Sequence, residues 1–354
     1  MNKKYYIGHF LKDFNDGGQS RNNAFRQYFV SNNTLAPLIY SKKTIIRFGY
    51  LLNVLRIIIF SRGNEIFIHQ GTFLVIFPLP VLRFNCIRKT VFLLTQRLAN
   101  RNKVTIEIND LPYEQAKDLE LFVDENYKTV QDKLYSINNA KYIFASHEMG
   151  KYVKSKFYLD YNVIINGSNA VQDFSESFVL DECFASEKMK YIYAGGLNKG
   201  RQIEDLISIF NCREDILILI GEWGEWLKNY NLSKNIYYLG KFEEKYAHYL
   251  ASKCDIGIIP YDENRFYYNI CYPTKASFYI TAGIPFLSTP LKELQNVFGQ
   301  TGIAYFVTFK KWESFIENFD KSDLKTVKEK IKKEKSKFYW KELLENYFKN
   351  EFIE

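Results

Sequence analysis

A chain of 354 residues that is 47% hydrophobic and 17% aromatic can bury two ordinary cores. Its formal charge of +8, from 48 basic and 40 acidic residues, is a mixed surface that suits phosphates or an acidic membrane face rather than a basic nucleic-acid arm. Five widely spaced cysteines without a C-x-x-C pair speak against a disulfide framework or structural zinc, and point to a reducing cytosol.

In chain order, Tyr5 to Phe10 reads as a first strand, too short in apolar length for a signal peptide. Gly17 and Gly18 follow as a loop before a helical pattern from Ala24 to Phe29, so backbone N–H groups can approach a ligand there. Thr44 to Phe60 is helical, and Arg47 and Arg56 make it a poor membrane span. Glu65 to His69 is a buried strand, Val81 to Asn100 a helix, and Lys103 to Ile108 a strand ending in Asn109-Asp110-Leu111-Pro112-Tyr113-Glu114. Two of these helices carry basic residues along apolar faces, a pattern found both on sheets and on anionic membranes. Ligands of open parallel sheets sit outside the carboxyl ends of strands, which makes His69, Asp110 and Glu114 candidates for acid–base work. Two of them have a plain rival use: a satisfied histidine for His69, a turn or cap aspartate for Asp110.

Tyr142 to Ser146 and Asn162 to Ile165 are strands around a helix from Glu148 to Tyr158, and the acidic Ala170 to Lys188 is a linker. A second half restarts with the strand Lys190 to Ala194, a glycine loop through Gly195, Gly196, Lys199 and Arg201, and a helix from Ile203 to Phe210. Strands at Ile216 to Ile220, before Gly221-Glu222, at Ile236 to Leu239, and at Asp255 to Pro260 follow, with a helix from Lys245 to Lys253. Tyr272-Pro273-Thr274-Lys275 then opens a helix ending at Gly283-Ile284-Pro285, which sets Lys275 and exposed N–H groups at one helix N-terminus. Ile303 to Val307 is the last strand, and the tail from Ser322 forms two helices. These elements predict a doubly wound α/β pair with a cleft between the halves.

The second half resembles the donor domain of GT-B glycosyltransferases, above all the retaining family-four group. The ordered set is Ile164-Ile165-Asn166-Gly167, the Tyr193 to Arg201 loop, Tyr238-Leu239-Gly240-Lys241, Leu250 to Pro260, Pro273-Thr274-Lys275 through Gly283-Ile284-Pro285, and Phe338-Tyr339-Trp340 ahead of Leu343-Leu344. The Pro-x-Lys-x-Ser-x-Tyr form is similar to bacterial glucosyl- and galactofuranosyltransferases of surface-glycan pathways. The resemblance implies two Rossmann-like domains facing a cleft: an acceptor domain over 1–168, a nucleotide-sugar domain over 169–335, and a closing helix over 336–354 that crosses back. It implies hexosyl transfer, retaining, from a nucleotide sugar, a UDP-sugar before others, to a glycan or lipid-linked acceptor; the lack of an Asp-x-Asp motif at a strand end of the second half predicts that the transfer is metal-independent. Donor contacts would then come from Gly17, Gly18, Gly196, Lys199, Arg201, Glu222, Tyr272, Pro273, Thr274, Lys275 and Ser277, with no cofactor. One departure stands out: Phe278 occupies the place where the commonest members carry a ribose-binding glutamate. Alternatives from the sequence are a sugar-nucleotide 2-epimerase and a catalytically silent GT-B partner. The expected location is cytoplasmic, peripheral on the membrane's inner face, with self-association open and no nucleic-acid partner.

Overall fold

The structure is a computed structural model. It describes residues 3–10, 17–31, 38–39, 44–174, 182–198 and 201–350. The chain forms two compact units, Met1–Ile165 and Asn166–Glu354.

The first unit runs β1 (Lys4–Ile7), β2 (His9–Phe10), α1 (Gly17–Ser31), β3 (Leu38–Ile39), α2 (Thr44–Phe60), β4 (Glu65–His69), α3 (Gln70–Ile76), α4 (Leu79–Leu82) and α5 (Asn85–Arg101). It continues with β5 (Lys103–Ile108), α6 (Pro112–Asp118), α7 (Glu125–Tyr135), β6 (Ala140–Phe144), α8 (His147–Lys154) and β7 (Tyr161–Val163). Five strands form a parallel sheet in the order β1-β4-β5-β6-β7, and β2 pairs with β3. Ile66, Phe67 and Ile68 are all buried, as are Ile106, Ile108, Ile143 and Phe144, because helices over a parallel sheet leave neither face wet.

Four sequence expectations change here. Tyr5 to Phe10 is two strands in different sheets, broken at Gly8, where a Cβ would lie 2.6 Å from the Tyr6 ring. Gly17 and Gly18 belong to the first turn of α1, not to a loop ahead of it. The helix from Val81 to Asn100 is α4 and α5, separated at an extended Phe84; the Arg88 guanidinium donates to the Leu82 carbonyl at 3.2 Å and satisfies one group released by the break. Within the linker, α9 (Glu182–Ala185) buries Cys183.

After α9 the second unit runs β8 (Lys190–Ala194), α10 (Ile203–Asn211), β9 (Ile216–Ile220), β10 (Ile236–Gly240), α11 (Glu244–Ser252), β11 (Ile256–Ile259), α12 (Phe266–Ile270) and α13 (Thr274–Ala282). Then come β12 (Phe286–Ser288), α14 (Lys292–Phe298), β13 (Ala304–Phe306), α15 (Trp312–Glu317), α16 (Ser322–Glu334) and α17 (Trp340–Asn350). Its six parallel strands lie in the order β10-β9-β8-β11-β12-β13. The chain therefore winds one way from β8 to β10 and the other way from β11 to β13. The reversal falls between neighbours β8 and β11, and there an open α/β sheet has its crevice.

Helix α13 covers that point. Pro273 is its N-cap, just outside the first turn the sequence predicts for it. Gly283 ends it in the left-handed region at φ 87°, with the Ile284 N–H returning to the Tyr279 carbonyl at 3.1 Å. Tyr279 is fully buried; its hydroxyl accepts from the Ala194 N–H at 2.9 Å and donates to the Ile258 carbonyl at 3.3 Å. One side chain thus bridges β8 and β11. Gly257 makes room for it, since a Cβ there would lie 2.3 Å from the Tyr279 ring.

Candidate functional site

Four chain segments meet outside the carboxyl ends of β8, β9 and β11. Gly195 follows β8 with φ 145° and Gly221 follows β9 with φ 144°; a Cβ on Gly221 would lie 1.8 Å from the Gly195 carbonyl oxygen. Only glycine tolerates this approach. It leaves a floor on which the Lys275 amine rests, for a Cβ on Gly195 would be 2.6 Å from Lys275 Nζ.

Lys275 is buried in the first turn of α13. Its ammonium donates to the Tyr261 hydroxyl at 3.0 Å and lies 5.1 and 5.3 Å from the ring centroids of Tyr193 and Tyr261. Tyr261 stacks on Tyr268 at 4.5 Å, which fixes the aromatic wall. Burial pushes the Lys275 pKa down, and the nearby Arg201 charge adds to the effect. Burial opposes the charge of Arg201 too, but its tyrosine neighbours Tyr261, Tyr193 and Tyr268 outweigh it and the pKa rises. Among the described residues neither cation forms an ion pair with a carboxylate. A lysine held this way retains a desolvation cost that an incoming anion offsets.

The other predicted residues of this unit divide. Gly196 lies against Trp223, an exposed residue with φ 59°. Glu222 follows Gly221, with its carboxylate 2.5 Å from Lys241 Nζ and its carbonyl accepting from the Leu197 N–H at 2.8 Å. Thr274 opens α13, half-buried. Tyr272 and Ser277 point into a buried network instead: their hydroxyls are 2.8 Å apart, Ser277 donates to the Asn166 carbonyl at 2.5 Å, and the Asn166 amide donates to the Tyr272 carbonyl at 3.0 Å. They lock α13 onto the Asn166 turn. Lys199 lies outside the described residues. Phe278 packs against His248 of α11 with the rings tilted, centroids 4.6 Å apart.

In the first unit His69 sits inside a closed set of partners. Its Nδ1 is 2.6 Å from Glu107 Oε2 and its Nε2 2.5 Å from the Tyr6 hydroxyl; Glu107 Oε1 accepts from Arg21 Nε at 2.6 Å, and Arg21 Nη1 donates to the Ile164 carbonyl at 2.7 Å. All four side chains are at most 1% exposed, so this is a structural cluster rather than a base open to substrate. Burial tends to raise the Glu107 carboxyl, and Arg21 and His69 more than reverse it, holding it below the usual range. Asp110 accepts from the Leu111 N–H at 2.8 Å, as a turn aspartate does. Glu114 is buried at the start of α6, accepting from Gln131 at 2.6 Å and from the Tyr152 hydroxyl at 3.3 Å.

Sequence reasoning missed Tyr261 and Tyr268, whose only signal is a tyrosine-rich stretch after β11. It also missed Glu107 and Arg21; a lone glutamate in the apolar run Val104 to Ile108 was the available sign.

Neither protein-family models nor curated protein sequences match the chain. Solved structures do match. HepE from Anabaena, in complex with UDP, aligns with a TM-score of 0.62 at 10% identity over 98% of this chain and 99% of that one. The fold is GT-B. A sucrose-phosphate synthase from Thermosynechococcus elongatus aligns at TM-score 0.62 and 13% identity, over 90% of this chain and 82% of that one. WaaG, a glycosyltransferase involved in lipopolysaccharide biosynthesis, gives 0.51 and 11% over 97% and 94%. In GT-B terms the Lys275 crevice belongs to the C-terminal Rossmann-like half.

Proposed function

We propose that this protein transfers a sugar from a nucleotide-sugar donor, a UDP-sugar, to a glycan or lipid-linked acceptor in the synthesis of a bacterial surface polysaccharide. The observation that carries this reading is the cation pair Lys275 and Arg201, neither in an ion pair with a carboxylate among the described residues, at the strand-order reversal of the second unit. The likeness to a structure holding UDP and to one involved in lipopolysaccharide biosynthesis supports it.

As the glycosidic bond breaks, negative charge grows on the departing diphosphate. Lys275 and Arg201 stabilise that charge in a site where desolvation strengthens each interaction, and the first N–H groups of α13 add to it. The Tyr193 and Tyr261 rings hold the ammonium in place and exclude water. With this positive charge built in, transfer proceeds without a divalent cation. A retaining course needs no acceptor-side base, in keeping with Glu114 and Asp110 being committed to structural hydrogen bonds.

The test is UDP binding by calorimetry and UDP-sugar turnover with a Lys275→Ala, Arg201→Ala variant. The expected result is a loss of about 10²–10³ or more in turnover per cation removed, with weakened UDP binding. Parent-like binding and turnover would overturn the proposal. Turnover that persists in EDTA, and an anomeric configuration retained by NMR, test the remaining parts.

A further inference from the structure

The charge of this chain is unevenly placed. Residues 17 to 106 hold 13 lysines and arginines and one carboxylate, Glu65, so this segment carries +12 and the remaining 264 residues −4. The same segment supplies α2, α4 and α5. Helices α2 and α5 pack on each other, and their carboxyl ends are tied where the Ser61 hydroxyl meets Asn102 Oδ1 at 3.0 Å and the Asn102 amide donates to the Ser61 carbonyl at 3.1 Å. Both lead into neighbouring parallel strands, β4 and β5, so right-handed crossovers set them side by side on one face.

Their outward stripes are apolar and basic by turns. On α2, Phe48, Leu52 and Phe60 are 60%, 52% and 75% exposed, with exposed Arg56 between them at the same four-residue spacing. On α5, Leu93 is 70% exposed between exposed Lys89 and Arg97, one turn to either side. The Arg83–Asp124 ion pair holds the loop before α7 to the end of α4, and the aromatic residues beside that pair, Phe84 and Phe122, are exposed too. At the carboxyl end of α5 the Arg101 pKa is lowered by partial desolvation and by the charges of Arg97 and Arg62, a crowding of like charge that an anionic surface relieves.

We infer that the α2–α5 face of the first unit seats on an anionic phospholipid bilayer, with Phe48, Leu52, Phe60 and Leu93 entering the headgroup boundary and Arg56, Lys89 and Arg97 on the lipid phosphates. Large apolar side chains alternating with basic ones on an exposed helix face match that boundary. Two copies of this chain meeting through the face would bring two basic surfaces together. A nucleic acid would answer the charges and leave the leucines unmatched. The inference stands apart from the sugar-transfer reading.

Co-sedimentation of the full chain with vesicles tests it, using phosphatidylcholine alone or mixed with phosphatidylglycerol. The protein is expected to bind the mixture, to let go as salt screens it, and to ignore the neutral vesicles. Lys89→Glu with Arg97→Glu should weaken binding at least about tenfold, each basic residue near such a surface being worth about fivefold. Phe60→Ser with Leu93→Ser should weaken it as well; these sites are exposed, and an unchanged thermal melt verifies the fold. A Leu93→Trp variant should shift its fluorescence to the blue only with the anionic vesicles. Absence of binding to the mixture, or variants that bind like the parent, would overturn the inference. So would a dimer in solution that Phe60→Ser with Leu93→Ser splits, or an RNA complex that competes fully with vesicles.

Discussion

Lys275 loses its proton more easily than an ordinary lysine, because burial and Arg201 both disfavour its charge. A bound diphosphate reverses the balance and restores the proton. UDP affinity should therefore fall as pH rises through the lowered Lys275 pKa, below the ordinary lysine value of 10.5, and binding in that range should take up a proton. Calorimetry in buffers of different ionisation enthalpy measures the uptake, and the same uptake in a Lys275→Ala variant would refute the assignment. His248 gives a second titration, on stability. It is buried, its Nε2 lies 3.0 Å from the Phe278 carbonyl, and burial lowers its pKa from 6.5 to about 4. As pH falls from 6.5 towards 4 the unfolded chain binds a proton that the folded chain refuses. Stability should drop across that window by about 3 kcal/mol. A His248→Gln variant keeps the donor to Phe278 and should flatten the drop, read as urea midpoints against pH. At this scale the sequence showed Lys275 because proline and a glycine terminus frame its helix. It could not show Tyr261, Glu107 or the burial of Ser277, since these depend on which strands become neighbours. Phe278, odd by family resemblance, has a local reason in the His248 ring.

Elements were most legible where punctuation and periodicity agreed. Helix α13, between Pro273 and Gly283, is the clearest case, and β4, β8 and β9 follow from apolar runs. The break at Phe84 and the helix α7 were not visible, because neither carries a glycine or proline and both are decided by tertiary contacts such as Arg83 with Asp124. Two glycines allow this scale to be tested separately from the cations. Gly283 ends α13 at φ 87° with nothing within 4 Å of a built Cβ, so Gly283→Ala introduces backbone strain alone and should cost about 1 kcal/mol. Gly221→Ala drives a Cβ into the Gly195 carbonyl and displaces the floor under Lys275. Its expected effect is a larger loss of stability and a loss of UDP affinity, whereas Gly283→Ala keeps the affinity. Denaturant melts and UDP titration distinguish the two, and equal UDP affinities would refute the role given to the glycine floor.

For the molecule as a whole, the doubly wound α/β class was legible because strand, glycine and helix recur in both halves, and parallel sheets impose buried strands. Strand order was not, since apolar runs carry no record of their neighbours; it emerges from the pairing of β8 with β11. Each unit has its own sheet and buried core, which makes ligand linkage a test of where the donor binds. A ligand that binds one folded unit stabilises that unit by RT ln(1 + [L]/Kd), about 2.7 kcal/mol at one hundred times Kd. In scanning calorimetry UDP should raise the transition of the 166–354 unit, and Lys275→Ala should abolish the shift. Hydrogen exchange assigns the protected amides, which are expected in β8, β11 and the first turn of α13. Protection confined to β4 and β5 would place the nucleotide in the first unit and overturn the assignment of the crevice.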